Sequence, residues 1–111
     1  MAKYIDVELT EQTYRLEYTR DALVRMEREG FSFTAVGEKP VMSLRLLVWG
    51  ALLKHDPRLT VQKADTILDE MLEIYALEDL FSALLELVES VMPKLDNGGK
   101  KPKKALKVVG K

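Results

Sequence analysis

The longest apolar run of the chain lies near its middle, from Val41 to His55, and reads VMSLRLLVWGALLKH. Ten of its first thirteen positions are apolar, and they cover too wide an arc for a helix with a single buried stripe. A bilayer requires about 20 mainly apolar residues, so this run is too short to cross one. The pattern therefore predicts a central helix, the second of the chain, that is buried on most sides. Pro40 suits its first turn, and Pro57 marks its end.

Two segments before this helix alternate between apolar and polar residues. In Lys3 to Leu9, the side chains of Ile5 and Val7 point to one side, and Tyr14 to Tyr18 repeats the pattern around Leu16. A period of two is typical of half-buried strands. We expect an antiparallel pair whose apolar side is covered by a helix, since two strands alone are only marginally stable.

A short first helix is predicted from Arg20 to Glu29. Gly30 stands where a helix that ends needs a residue tolerating a left-handed backbone. The aromatic residues Phe31 and Phe33 then fold back onto the end of this helix. Residues 34–39 contain a glycine and form a connector to the central helix.

Two longer amphipathic helices follow the central one. Thr60 caps the third helix, in the way that Thr19 caps the first, and apolar residues from Ala64 to Tyr75 keep the helical spacing. The fourth helix covers about Leu77 to Met92 and ends at Pro93. No glycine or proline marks a break between the third and fourth helices, so the sequence leaves their continuity open.

Composition and charge define one domain with a tail. The chain has 111 residues, 47% of them hydrophobic, which is enough for one core. Residues 97–111 hold six lysines and no acid, whereas residues 1–96 hold 18 acids against 11 bases. The prediction is an α+β, mainly α domain over residues 1–95, with an N-terminal two-stranded hairpin packed on about four helices. A basic tail over residues 96–111 is expected to be disordered in isolation.

The sequence offers no convincing catalytic or metal site. There is no cysteine, and no secretory signal is recognised, which makes the cytoplasm the default location. His55 could pair with Ser43 or Ser82, but neither serine lies in a nucleophile motif, so a structural role is favoured. The acids from Asp65 to Glu73 follow a helical period without the glycine turn of a calcium loop, which favours a solvated helix face. We expect no enzyme, no cofactor and no metal.

Two further features have a functional and a structural interpretation. Trp49, the only tryptophan, could anchor an interface or fill the core, and the core is favoured. The lysine tail resembles a nucleic-acid patch. It lacks interleaved aromatic residues and follows an acidic domain, so a solubilising tail or a tether for an acidic partner is favoured.

The apolar faces of the second and fourth helices are the most informative feature. One hairpin, one narrow helix and two amphipathic helices are too little to cover the second helix fully, so we expect self-association or capture of an apolar client helix. The predicted interaction residues on these faces are Leu47, Leu53, Phe81, Leu84, Leu85, Val88 and Val91. A monomer that buries all of these residues is the alternative.

The run YRLEYTRDALVRMEREGFSF, followed by KP and then by LRLLVWGALLKHDPRLT, covers about Tyr14 to Tyr75. In this run the chain resembles a family of small phage and prophage proteins similar to the tail assembly chaperones of long-tailed phages. Matching positions include Tyr14, Leu16, Tyr18, Met26, Glu27, Gly30, Phe31, Pro40, Leu47, Gly50, Ala51, Lys54 and His55.

This resemblance implies a non-catalytic cytoplasmic protein that keeps the helical tape measure protein soluble and helps to recruit tail tube protein. Such a protein is not expected in the mature virion. From the apolar faces we expect a homo-oligomer, and we expect no membrane partner and favour no nucleic-acid partner. Two alternatives stay open. One is a structural tail component, such as a connector or completion protein, and the other is a small DNA-binding regulator that uses the lysine tail.

Overall fold

The computed structural model describes residues 4–91, which form a two-stranded antiparallel sheet and five helices. In chain order the elements are β1 (Ile5–Glu8), β2 (Thr13–Leu16), α1 (Arg20–Arg28), α2 (Phe33–Glu38), α3 (Pro40–Leu52), α4 (Val61–Ile74) and α5 (Leu77–Val91). The predicted mainly helical α+β class with an N-terminal hairpin is confirmed. The predicted lysine-rich tail lies outside the described residues.

The hairpin packs its apolar face on α3, as the alternating pattern predicts. Ile5 pairs with Leu16, and the side chains of Val7 and Leu16 are buried. Two hydrogen bonds fix the end of the second strand against the central helix. The N–H of Glu17 donates to the carbonyl of Ala51 at 3.0 Å, and the hydroxyl of Tyr18 donates to the carbonyl of Leu47 at 2.7 Å.

The central helix α3 is buried by the rest of the same chain. Nine of its thirteen residues are buried, from Ser43 to Leu52 with the exception of Arg45. The indole N–H of Trp49 donates to the carbonyl of Leu59 at 2.8 Å, which confirms the prediction that Trp49 is a core residue. The expectation that one copy leaves α3 uncovered is wrong for these nine residues. The hairpin, α1, α2, α4 and α5 together surround it.

The end of α1 follows the sequence prediction closely, but the segment after it does not. Gly30 has a φ of 107°, and the N–H of Phe31 donates to the carbonyl of Met26 at 2.9 Å, which forms a Schellman motif. Phe31 is buried against this end, as predicted. Phe33 instead begins the extra helix α2, because the hydroxyl of Ser32 caps its first turn.

The break between α4 and α5 lies at Tyr75 and Ala76. Tyr75 has an extended backbone, and its side chain reaches the hairpin. The Tyr75 hydroxyl accepts a hydrogen bond from the N–H of Glu8 at 3.3 Å and donates one to the Glu8 carbonyl at 3.2 Å. The break therefore coincides with a contact between distant parts of the chain and not with a local glycine or proline.

Candidate functional site

The seven predicted interaction residues fall into two groups. Leu47, Leu53, Leu84 and Val88 are buried in the core, whereas Phe81, Leu85 and Val91 are half-buried at its margin. The first four are therefore not accessible to a partner in this fold. Leu84 and Val88 are buried because the broad apolar face of α5 packs against the other elements of the chain. Leu47 and Leu53 are buried because those elements surround α3. An aspartate at Leu84 or Val88 would therefore stand in the core rather than on a partner surface.

The exposed apolar side chains of the described residues lie elsewhere. Two of them, Tyr4 and Val24, lie on the hairpin and on α1. The other five define what we call the apolar end: Phe33, Val41, Met42, Ile74 and Leu77. Val41 is 70% exposed, Met42 47% and Phe33 45%.

The packing of α3 against α4 places Val41 and Met42 toward the same end of the fold as Ile74 and Leu77. Arg45 is paired with Asp65 at 2.8 Å, and Trp49 contacts Leu59 further along α3. Asp65 lies on α4 and Leu59 lies in the loop just before it. Residues later in α3 thus contact residues nearer the start of α4, so the two helices are antiparallel. The first turn of α3 therefore lies toward the end of α4 and the start of α5. The helix α2 leads directly into that turn and packs on α3.

The sequence contains signals that could have identified this end. Val41 and Met42 directly follow Pro40, and the first turn of a helix often projects beyond the elements that cover its middle. Ile74 and Leu77 flank the break between the last two helices. The hydrophobic pattern alone assigns all four residues to buried helix faces, because it cannot show where the covering elements stop.

A charged cluster lies at the opposite end of α3. Glu17 is 6% exposed, and its carboxylate accepts a hydrogen bond from Lys54 Nζ at 2.7 Å. Its other oxygen lies 3.2 Å from Nε2 of His55. The lysine, and with it the nearby histidine, lowers the pKa of Glu17 below its ordinary value of 4.5 against the opposing effect of burial. This contact gives His55 a partner that is neither of the serines considered from the sequence.

Residues 1–110 match the protein family described as Domain of unknown function (DUF5055). The chain belongs to the DUF5055 family. No curated protein matches the chain, and no solved structure matches it. The family description names no activity, ligand or partner.

The buried Glu17 of this DUF5055 chain predicts a dependence of stability on pH. A carboxyl whose pKa is lower in the folded than in the unfolded state stabilises the fold above the unfolded pKa. That contribution is lost as the pH falls through the folded pKa. We therefore expect the free energy of unfolding to decrease below about pH 4.5, and we expect Glu17→Gln to reduce this slope.

Urea unfolding followed by the fluorescence of Trp49 at a series of pH values measures this effect. Asp6→Asn is the control, because the Asp6 carboxylate is paired with Arg15 on the exposed side of the hairpin, at 2.9 Å. Exposed pairs contribute little to stability. Identical acid slopes for the natural chain and Glu17→Gln would contradict the assignment.

Residues 4–91 of this DUF5055 chain contain neither a metal-binding cluster nor a membrane-spanning helix. Among residues 4–91, no group of three histidine or acidic residues is placed to hold a metal ion. Asp65, one of the acids considered as a cation ligand, is paired with Arg45 instead. No helix in the same range has the length and apolar composition needed to cross a membrane.

Proposed function

We propose that this DUF5055 protein is a non-catalytic tail assembly chaperone that binds helical segments of a phage tape measure protein at its apolar end and keeps them soluble. The observation that carries the proposal is the exposure of Phe33, Val41 and Met42 within ten residues of chain. Ile74 and Leu77 are also exposed and lie toward the same end of the fold. The resemblance to tail assembly chaperones, described above from the sequence, supports the choice of client.

The chemistry of the apolar end suits an amphipathic helix. Such a helix places apolar residues in a groove at every third or fourth position, and it needs large aliphatic partners rather than directional hydrogen bonds. Methionine adapts to irregular partners because its side chain is unbranched and polarizable. Met42 and its neighbour Val41 provide that kind of surface, and burying each side chain contributes about 2 kcal/mol.

We further propose that the protein acts in the cytoplasm of the bacterial host and assists the recruitment of tail tube protein. It forms a homo-oligomer and is absent from the mature virion. Mass spectrometry of purified particles separates this proposal from a structural tail component, which would be detected there. A DNA titration at two salt concentrations separates it from a regulator, whose affinity would fall steeply with salt.

Coexpression with the tape measure protein from the same locus tests the proposed surface. The double variant Val41→Asp, Met42→Asp should lower the amount of soluble tape measure protein. Losing the burial of two apolar side chains weakens binding by about a hundredfold or more. The affinity for a helical tape measure peptide, measured by calorimetry, should fall correspondingly.

A matched control is available on another face. Val24→Asp introduces a single carboxylate at an exposed valine of α1, outside the apolar end, and should leave client solubility unchanged. Circular dichroism verifies that each variant is folded. Equal rescue of the tape measure protein by the double variant and by the natural chain would refute the proposed site.

A further inference from the structure

A groove lies between β1 and the last turns of α5, remote from the apolar end. It has a volume of about 450 Å³. Ile5, Ala83 and Leu87 provide apolar surface, and the exposed carboxylates of Glu86 and Glu89 lie beside them. None of these residues belongs to the apolar end, so the groove is a separate surface.

The strand β1, whose Ile5 lines the groove, has an outer edge that is only partly covered within residues 4–91. The N–H of Leu9 donates to Gln12 toward the second strand, and successive backbone groups of a strand point in opposite directions. The N–H and C=O groups of Glu8 and Asp6 therefore point away from β2. Tyr75 hydrogen-bonds those of Glu8. The described sheet has only two strands, so no described strand pairs with the edge at Asp6.

The charge around the groove selects a basic occupant. Residues 61–91 carry eight acids against one lysine, whereas residues 4–60 carry nine acids against eight bases. Nearly all the excess negative charge of the described residues thus lies on α4 and α5. An open strand edge beside apolar surface binds an extended segment whose apolar side chains enter the groove. Carboxylates at its margin favour lysines in that segment.

We propose that residues 100–111 of this chain occupy the groove as an extended segment along the outer edge of β1. Their sequence, KKPKKALKVVGK, combines six lysines with Leu106, Val108 and Val109, which matches the acidic and apolar composition of the groove. The reach is sufficient. The fifteen residues from Val91 to Leu106 span up to about 50 Å, whereas returning along α5 to Leu87 requires only about 6 Å.

Cross-linking in the full chain tests this proposal, because the chain has no natural cysteine. The variant Ala83→Cys, Val108→Cys should form an intramolecular disulfide under mild oxidation. The control Thr34→Cys, Val108→Cys places the first thiol on α2 instead. Docking should raise the effective concentration of the two thiols, so the groove pair should oxidise about tenfold faster than the control pair. Mass spectrometry and gel mobility identify the products.

Charge reversal then tests the basis of recognition. Adding Glu86→Lys and Glu89→Lys to the groove pair should slow the cross-link toward the rate of the control pair. Reversing Asp69 and Glu73, two exposed acids on α4, should slow it much less. Equal rates for the groove and control pairs, or a rate unaffected by Glu86→Lys and Glu89→Lys, would overturn the proposal. Predominantly intermolecular disulfides would also overturn it, because the occupant would then belong to a second copy.

The outcome does not depend on the proposed chaperone function. The cross-link needs no client, and the coexpression assay uses a surface that shares no residue with the groove. Failure of either proposal can therefore be recognised while the other stands.

Discussion

Replacing Leu84 with aspartate should unfold this domain. The Leu84 side chain is 0% exposed, so the variant loses its apolar contacts and places a carboxylate in a site without water. Deleting a buried leucine side chain alone costs about 2–5 kcal/mol, and burying a charge adds to that cost. Domains of this size are stable by about 5–15 kcal/mol, so the variant should be largely unfolded at 37 °C.

Circular dichroism and urea unfolding measure this result, and the neighbouring positions provide controls. Ser82→Asp introduces the same carboxylate at an exposed position of α5 and should change the free energy of unfolding by less than about 0.5 kcal/mol. Leu84→Ala separates the lost contacts from the buried charge. A cooperatively folded Leu84→Asp chain of natural stability would show that α5 does not pack as described.

The close approach of α1 and α3 at Gly50 gives the second large effect. A Cβ atom at position 50 would overlap the sulfur and Cγ of Met26, and Met26 is 0% exposed, so its side chain has no open space to enter. Gly50→Ala gains about 1 kcal/mol of helix propensity but costs about 1–3 kcal/mol through overpacking. We expect net destabilisation by about 1 kcal/mol.

A double-mutant cycle isolates this contact. Met26→Ala alone should cost about 2–5 kcal/mol, because it leaves a cavity. Combined with Gly50→Ala, it should cost less than the sum of the two single variants by about 1 kcal/mol or more, since the new methyl group fills part of the cavity. Urea unfolding of the four chains provides the free energies.

Gly37 is the matched control for this cycle. It lies in α2, and a Cβ atom there meets nothing within 4 Å. Gly37→Ala should therefore be neutral or stabilising by up to about 1 kcal/mol. Destabilisation by Gly37→Ala equal to that by Gly50→Ala would indicate a general intolerance of the backbone rather than the Met26 contact.

Much of the fold follows from local signals in the sequence. The alternating strands, the caps at Thr19 and Thr60, and the glycine stop at Gly30 depend on residues within a few positions of one another. The sequence pattern does not predict the helix α2, because Gly37 favours a loop. Ser32, five positions earlier, instead favours the start of a helix. Local patterns that compete in this way do not determine the outcome by themselves.

The candidate sites could not be predicted in the same way. The hydrophobic pattern shows that Leu84 and Leu77 belong to an apolar face, but one is fully buried and the other is exposed. The difference depends on which other elements reach each position. Similarly, the open edge of β1 becomes a groove only because α5 returns beside it.

The sequence by itself determined the mainly helical class, the hairpin, most helix limits and the burial of the central helix, because these depend on periodicity and on short-range hydrogen bonds. Only the tertiary structure decided which apolar residues are covered. It also decided that Tyr75 ends α4 and that Glu17 meets Lys54 and His55. These features join residues far apart in the chain, and their burial is set by the packing of whole elements rather than by neighbours in sequence.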